Sequence, residues 1–161
     1  MMYTKFKKDL IIGNEGEWNI ANFFKGYGFK NIKYNNDYRW DICITNPSNN
    51  KVSYFEVKTD VYKRDTGNMA VEIRYRGNPS GISHTEAEFF VYYYKDSGDM
   101  YVIKCSELRD LIKQNIEKLK VVMGGDDNQS ELVLISRDDY CSYFQKFHHK
   151  YEQKGKECDS I

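Results

Sequence analysis

The sequence predicts a single α/β domain in which a mixed β-sheet is flanked by helices. The chain has 161 residues, which is the length of one domain. Helical and extended patterns follow each other in the order helix, several strands, helix, strand, helix. One segment, Phe89–Tyr94, is an almost continuous apolar run, as is typical of a central strand buried on both faces. We expect one domain over residues 1–150, followed by a polar, flexible tail over residues 151–161.

The first predicted element is a helix over residues 14–28. Asn14 is a favourable N-cap and Gly28 a favourable C-terminal stop. Ile20 and Phe24 recur at helical spacing and belong to an apolar stripe, and Glu17 falls on the same stripe. The Glu17 carboxylate therefore either faces the sheet or closes a capping box with the Asn14 N–H.

The predicted strands are rich in β-branched and aromatic residues and are separated by turn residues. They cover residues 29–33, 40–45, 51–58, 69–75, 89–94, 100–104 and 131–135. The turn over residues 46–50 joins the second and third strands as an antiparallel hairpin. Two more helices are predicted, from Ser106 to about Lys118 and from Ser136 to about Phe147, each with its serine as the N-cap.

Composition and charge narrow the classes of function. Lys and Arg number 24 and Asp and Glu number 24, so the net charge is zero, which excludes a globally basic nucleic-acid binder but not a local basic strip. The four cysteines and three histidines show no zinc-ligand spacing, and no nucleotide-binding glycine motif is present. No apolar run reaches the ~20 residues that span a bilayer, and no signal-peptide pattern opens the sequence. We expect a cytoplasmic protein with no membrane partner and no organic cofactor.

The candidate site with a specific chemistry consists of three charged residues on the predicted hairpin, namely Asp41, Glu56 and Lys58. With the hairpin turn centred between Ser48 and Asn49, Asp41 falls opposite Glu56, and alternation places Lys58 on the same face. The apolar residues of the two strands are expected on the other face, and these are Trp40, Ile42, Ile44, Phe55 and Val57. Paired carboxylates suit a hard cation such as Mg²⁺, and a lysine beside them can orient a water or stabilise developing charge. The alternative is an ordinary solvated strand that carries a Glu-x-Lys pair.

This pattern resembles the PD-(D/E)xK nuclease superfamily over roughly residues 14–94. The matching segments are the Gly-Glu of the first helix, RWD at residues 39–41 and FEVKT at residues 55–59, while the proline of the family name is absent. The resemblance implies a restriction-endonuclease-like fold, Asp41 and Glu56 as Mg²⁺ ligands and Lys58 as the catalytic lysine. In resolvase-like members a glutamate of the first helix joins the metal site, which is the role the resemblance implies for Glu17.

The function expected from this resemblance is Mg²⁺-dependent hydrolysis of phosphodiester bonds, with Mn²⁺ as a substitute. DNA is the expected partner and RNA stays open, as does a homodimer. Resolvase-like and phage nucleases are the members that fit best. Two alternatives remain: a sequence-specific restriction-type endonuclease, and a non-catalytic nucleic-acid-binding protein that retains the fold.

Cationic and polar side chains follow the Glu-x-Lys strand, where a phosphate backbone must pass. The candidates for nucleic-acid binding are Lys63, Arg64, Arg74, Arg76 and His84. An ordinary solvated loop is the alternative for this weakly basic strip. Glu72, on the next predicted strand, is expected either to reach the metal or to pair with Arg74 or Arg76.

Overall fold

The structure, a computed structural model, describes residues 2–61 and 65–149, without the side chains of residues 2–9 and 11. The helices are α1 (Met2–Gly26), α2 (Cys105–Asn115) and α3 (Arg137–Tyr140), with 3₁₀ helices over Gly81–Ser83 and Cys141–Tyr143. The strands are β1 (Lys30–Tyr34), β2 (Ile42–Thr45), β3 (Val52–Asp60), β4 (Asn68–Tyr75), β5 (Asn78–Pro79), β6 (Phe89–Tyr94), β7 (Asp99–Lys104), β8 (Lys120–Gly124), β9 (Ser130–Ser136) and β10 (Gln145–His148). The predicted tail over residues 151–161 lies outside the described residues.

Of the described strands, six form a mixed sheet in the order β1-β2-β3-β6-β7-β10. β3 and β6 run parallel, whereas the other neighbours are antiparallel. The parallel pair is possible because the chain leaves the sheet after β3 and makes a long crossover before it returns as β6. The predicted α/β class, with a mixed sheet and flanking helices, is confirmed.

The other four described strands form an antiparallel sheet in the order β5-β4-β9-β8. Two buried tyrosines of β6 tie the end of β3 to β4. Tyr92 Oη accepts a hydrogen bond from the Ala70 N–H (3.1 Å) and donates to Asp60 Oδ2 (2.6 Å). Tyr94 Oη donates to the Asn68 carbonyl (3.1 Å). These bonds hold the smaller sheet against one face of the larger sheet, where side chains of both sheets and of α2 form the main apolar core.

α1 covers the opposite face of the larger sheet. Ile20 and Phe23 of α1 pack against Ile42, Phe55 and Tyr93, which form a second apolar cluster. Since β3 alternates its side chains between this cluster and the other face, Phe55 points to α1 while Glu56 points away from the cluster.

Two predicted helix starts are wrong. α1 begins at Met2 and not at Asn14, which lies inside the helix because Gly13 is tolerated there without breaking it. The N-cap of α2 is Lys104, whose side chain makes no capping bond, and Ser106 lies inside the first turn.

The C-terminal part also differs from the prediction. Ser136 caps a helix as expected, since its Oγ accepts from the Asp139 N–H (3.3 Å), but that helix ends at Tyr140. The buried Phe144 then anchors the chain, and the next four residues join β7 as the antiparallel strand β10. β8, which the sequence did not predict, pairs with β9.

Candidate active site

Asp41 and Glu56 lie opposite each other at the start of the β2–β3 hairpin. The observed pairs, Ile42 with Phe55 and Thr45 with Val52, confirm the predicted register, and the Asp41 N–H continues it by donating to the Phe55 carbonyl (2.9 Å). The structure therefore brings the two carboxylate-bearing residues together on neighbouring strands.

The Asp41 side chain is fixed by the backbone of β3. Its Oδ2 accepts a hydrogen bond from the Val57 N–H at 2.6 Å. This bond extends the β2–β3 ladder by one step beyond Ile42, where β2 begins. Because alternation does not extend back before β2, Trp40 does not share the face of Ile42 as predicted. It contacts the Tyr54 ring, with centroids 5.2 Å apart, and packs against the main core.

The Glu56 side chain is held by a buried threonine that the sequence analysis did not single out. Thr85 Oγ1 lies 2.8 Å from Glu56 Oε2 and 3.1 Å from the Arg39 carbonyl, and it accepts from the Ala87 N–H (3.2 Å). The Glu86 N–H also donates to the Arg39 carbonyl (2.8 Å). The segment that leads into β6 therefore clamps the loop that leads into Asp41. The role of Thr85 could be predicted only with knowledge that β3 pairs in parallel with β6, because this pairing brings Thr85 to Glu56.

Glu17 is the third carboxylate near Asp41, and its environment distinguishes between the two predicted roles, a carboxylate that faces the sheet and a member of a capping box. Since α1 starts twelve residues before Asn14, the predicted capping box is wrong. Gly16 lets α1 approach β3 closely, because a Cβ at this position would overlap Thr59 Oγ1. Burial, and then the charge of Asp41, raise the pKa of Glu17 from 4.5 to about 7.

The other two carboxylates share this electrostatic environment. Burial raises the pKa of Asp41, and the bond from the Val57 N–H partly opposes the rise. Burial also raises the pKa of Glu56, and the charge of Asp41 adds to it. The bond from Thr85 opposes this rise, while the charges of Glu17 and Glu72 increase it. The site thus concentrates negative potential in a partly dehydrated place.

Lys58 follows Glu56 by two residues on β3 and is exposed. Both residues line a cavity of about 190 Å³, together with Glu72 and Ile82. Among the residues that the structure describes, Lys58 forms no ion pair, so its ammonium has no fixed counter-charge there.

Glu72 does not pair with an arginine as predicted. Its carboxylate accepts hydrogen bonds from the hydroxyls of Ser80 and Ser130. Arg74 instead faces Glu131 (3.4 Å), and Arg76 faces Asp127 (3.3 Å). Glu72 is therefore the second carboxylate that lines the cavity beside Glu56, and its hydrogen-bond partners are neutral hydroxyls.

The predicted nucleic-acid-binding residues are distributed over several elements. Arg74 and Arg76 lie at the end of β4 and are exposed. His84 follows the first 3₁₀ helix and stacks on Tyr38, with ring centroids 4.3 Å apart. Lys63 and Arg64 lie outside the described residues.

The carboxylates are neighbours without forming a closed coordination shell. Over residues 2–61 and 65–149, no three His, Cys, Asp or Glu side chains converge closely enough to hold a metal ion as they stand. Hard carboxylate oxygens on adjacent strands are nevertheless the donor type that Mg²⁺ takes, usually one or two with water completing the shell. The donor types of the residues present therefore fit a Mg²⁺ site in which water supplies the remaining ligands.

Comparisons with known proteins add one structural similarity. No family model matches the chain, and no curated protein shows significant similarity to it. Among solved structures it resembles a bacterial homing endonuclease, I-Ssp6803I, with a TM-score of 0.47 and 15% sequence identity over 93% of this chain and 82% of that chain. Similarity at this level identifies no family, so the functional proposal rests on the geometry of the site.

No helix in the described residues is long and apolar enough to cross a membrane.

Proposed function

We propose that this protein is a metal-dependent nuclease of the PD-(D/E)xK type, with a restriction-endonuclease-like fold over residues 1–150, that hydrolyses phosphodiester bonds in DNA. The observation that carries the proposal is the placement of Asp41 opposite Glu56, with Lys58 in the same cavity as Glu56. A solvated Glu-x-Lys strand would not explain why both carboxylates are partly buried and bonded to neighbouring elements.

Asp41 and Glu56 would hold Mg²⁺, and Glu17 would contribute a third carboxylate. The raised pKa values support this assignment, because a divalent cation relieves the same repulsion that favours a proton at these groups. When bound, Mg²⁺ would lower the pKa of a water and neutralise charge on the phosphate, and Mn²⁺ would substitute because it also prefers oxygen ligands.

The residues of the chain have separate roles in this proposal. The Val57 N–H and the Thr85 hydroxyl hold the carboxylates in place before substrate arrives. Lys58 would orient the attacking water or stabilise the negative charge that develops on the phosphate. The candidates for contacts with the phosphate backbone, which position DNA without reading its sequence, are Arg74, Arg76 and His84, which are exposed, and Lys63 and Arg64, which lie outside the described residues.

Three finer statements belong to the same proposal. The substrate would be branched DNA, as for a resolvase-like enzyme. A homodimer would cut two strands, and the reaction would take place in the cytoplasm. Cleavage of plasmid, linear duplex, single strand, flap and four-way junction with Mg²⁺ tests the first, and the mass of the DNA complex in solution tests the second.

Asp41→Asn and Lys58→Ala test the core of the proposal. Asp41→Asn should abolish cleavage and weaken Mg²⁺ binding in a calorimetric titration while the protein stays folded. Lys58→Ala should lose about 10²-fold or more in cleavage rate and keep its Mg²⁺ and DNA binding. Asp110→Asn and Lys113→Ala, on the exposed side of α2, are matched controls that should behave like wild type.

Two results would contradict these assignments. A Lys58→Ala variant within a few-fold of wild-type activity would remove Lys58 from the reaction. DNA binding with no cleavage under Mg²⁺ or Mn²⁺ would favour a non-catalytic binding protein that retains the fold.

A further inference from the structure

An exposed pair of stacked rings lies beside the carboxylate site. Tyr38 and His84 stack with centroids 4.3 Å apart and ring planes inclined by only 7°. Tyr38 remains 59% exposed, and His84 is also exposed. The pair is therefore a flat aromatic surface open to solvent, on which a further planar ring can stack.

Both rings are connected directly to the residues that hold the site. Tyr38 precedes Asp41 by three residues, and His84 immediately precedes Thr85, which bonds Glu56. Three residues of chain span at most about 11 Å, so Tyr38 lies within that distance of Asp41, while His84 adjoins the residue that bonds Glu56.

The loop that carries Tyr38 is fixed before any ligand binds. Arg39 Nη2 lies 2.7 Å from Asp37 Oδ2, and the Arg39 N–H donates to Asp37 Oδ1 (2.9 Å). The Asn35 side chain donates to the same Oδ1 (2.7 Å), and the Asn35 N–H donates to the Asp41 carbonyl (2.8 Å). Since the loop is already ordered by these bonds, stacking on Tyr38 does not have to order it.

We propose that the Tyr38–His84 stack is a platform for an unpaired DNA base next to the scissile phosphate. The proposal rests on the nuclease function and names its substrate class as DNA with unpaired nucleotides. A base stacks on an aromatic ring regardless of sequence, whereas the bases of a continuous duplex are already stacked on each other and do not reach a surface platform. In the part of the chain that the structure describes, the ring nitrogens of His84 form no hydrogen bond, so they could contact phosphate while the face of the ring covers Tyr38.

The test measures DNA binding by fluorescence anisotropy with Ca²⁺ in place of Mg²⁺, so that the DNA stays intact. The probes are a labelled duplex and the same duplex with a short single-stranded gap. Wild type should bind the gapped DNA on the order of 10-fold more tightly, and Tyr38→Ala should lose most of that preference while its affinity for the duplex is unchanged. Tyr38→Phe, which retains the ring, should behave like wild type, as should Tyr143→Ala, which removes an exposed tyrosine elsewhere.

A second measurement leaves the protein unchanged. Abasic sugar-phosphates in the gap remove the bases and keep the phosphates. The abasic gap should lower the affinity of the wild type as much as Tyr38→Ala lowers its affinity for the normal gapped DNA. The affinity of Tyr38→Ala itself should be the same for both gapped DNAs.

Each contrary outcome has a defined meaning. If wild type cleaves DNA but Tyr38→Ala or the abasic gap leaves the preference intact, the platform is refuted and the nuclease proposal stands. A loss in Tyr38→Phe equal to that in Tyr38→Ala would assign the effect to the hydroxyl and also refute the platform. A protein that neither binds nor cleaves DNA refutes both proposals.

Discussion

Glu17 illustrates how a single residue depends on where its helix begins. A helix that started at Asn14 would have made Glu17 a capping residue, whereas the longer α1 leaves it half-buried and facing the charge of Asp41. A half-buried carboxylate with a raised pKa is costly when ionised unless a cation or proton joins it. The position of Glu17 therefore fits a contribution to the proposed metal site.

Glu17→Gln should raise the Mg²⁺ concentration needed for half-maximal cleavage, because it removes a negative charge near Asp41 and Glu56. The same change should leave the melting temperature of the metal-free protein at pH 8 unchanged or higher, since it also removes repulsion. Glu15→Gln is the matched control, because Glu15 lies on the same helix but forms an ion pair with Lys95. Superimposable Mg²⁺ titrations for wild type and Glu17→Gln would exclude Glu17 from the site.

The residues of the site differ in how far the sequence alone could predict them. Asp41 and Glu56 were predictable because a hairpin register follows from the position of one turn. Thr85 and the serine partners of Glu72 were not, because they depend on the pairing of β3 with β6 and of β4 with β9 across long stretches of chain. The predicted Arg partner of Glu72 was wrong because Arg74 and Arg76 find acidic partners on the β8–β9 side of the smaller sheet.

At the scale of secondary-structure elements, the contact between α1 and β3 determines where Glu17 lies. A Cβ on Gly16 would overlap Thr59, whereas no atom of the described residues lies within 4 Å of a Cβ placed on Gly13. Substitution by alanine should therefore change the stability of the protein in opposite directions at Gly16 and Gly13.

Gly16→Ala should destabilise the protein by roughly 1–3 kcal/mol, because α1 must move away from β3. Gly13→Ala should stabilise it by up to about 1 kcal/mol, because alanine is the better helix former and the site is open. Thermal melts of both variants check the signs. Gly16→Ala should also raise the Mg²⁺ requirement for cleavage, whereas Gly13→Ala should not, and equal effects of the two changes would mean that this contact does not position Glu17.

Elements defined by local patterns were predicted well, and those that depend on distant partners were not. β6 was predicted with its observed bounds because six consecutive large apolar residues leave little choice. β10 was predicted as helix because its four exposed residues have no apolar pattern of their own, and their pairing with β7 makes them a strand. β8 likewise owes its conformation to β9.

At the scale of the whole molecule, the stability of the protein depends on pH through two groups of carboxylates, one with lowered and one with raised pKa values. Exposed Asp37 and Asp65 have lowered pKa values because of hydrogen bonds from Arg39 and Arg137, so their contribution to stability is lost as the pH falls through those values. Glu17, Asp41 and Glu56 have raised pKa values, and the folded protein therefore binds more protons there than the unfolded chain does. For Glu17 and Glu56 this contribution is present below the unfolded pKa of 4.5 and is lost as the pH rises through the folded pKa of about 7, and for Asp41 the corresponding pKa values are 3.8 and about 6.

The metal-free protein should therefore melt at a higher temperature at pH 5 than at pH 8, with a difference on the order of 2–5 °C for a chain of this size. Mg²⁺ should raise the melting temperature at pH 8 more than at pH 5, because it binds the ionised carboxylates and competes with protons for them. Thermal melts across this pH range, in EDTA and in Mg²⁺, measure both effects. Glu56→Gln should flatten the dependence in EDTA, while Glu107→Gln, on the exposed face of α2, should leave it as in wild type. A metal-free protein whose stability rises from pH 5 to pH 8 would show that the three carboxylates are not the coupled, dehydrated group described here, and the metal assignment would lose its electrostatic basis.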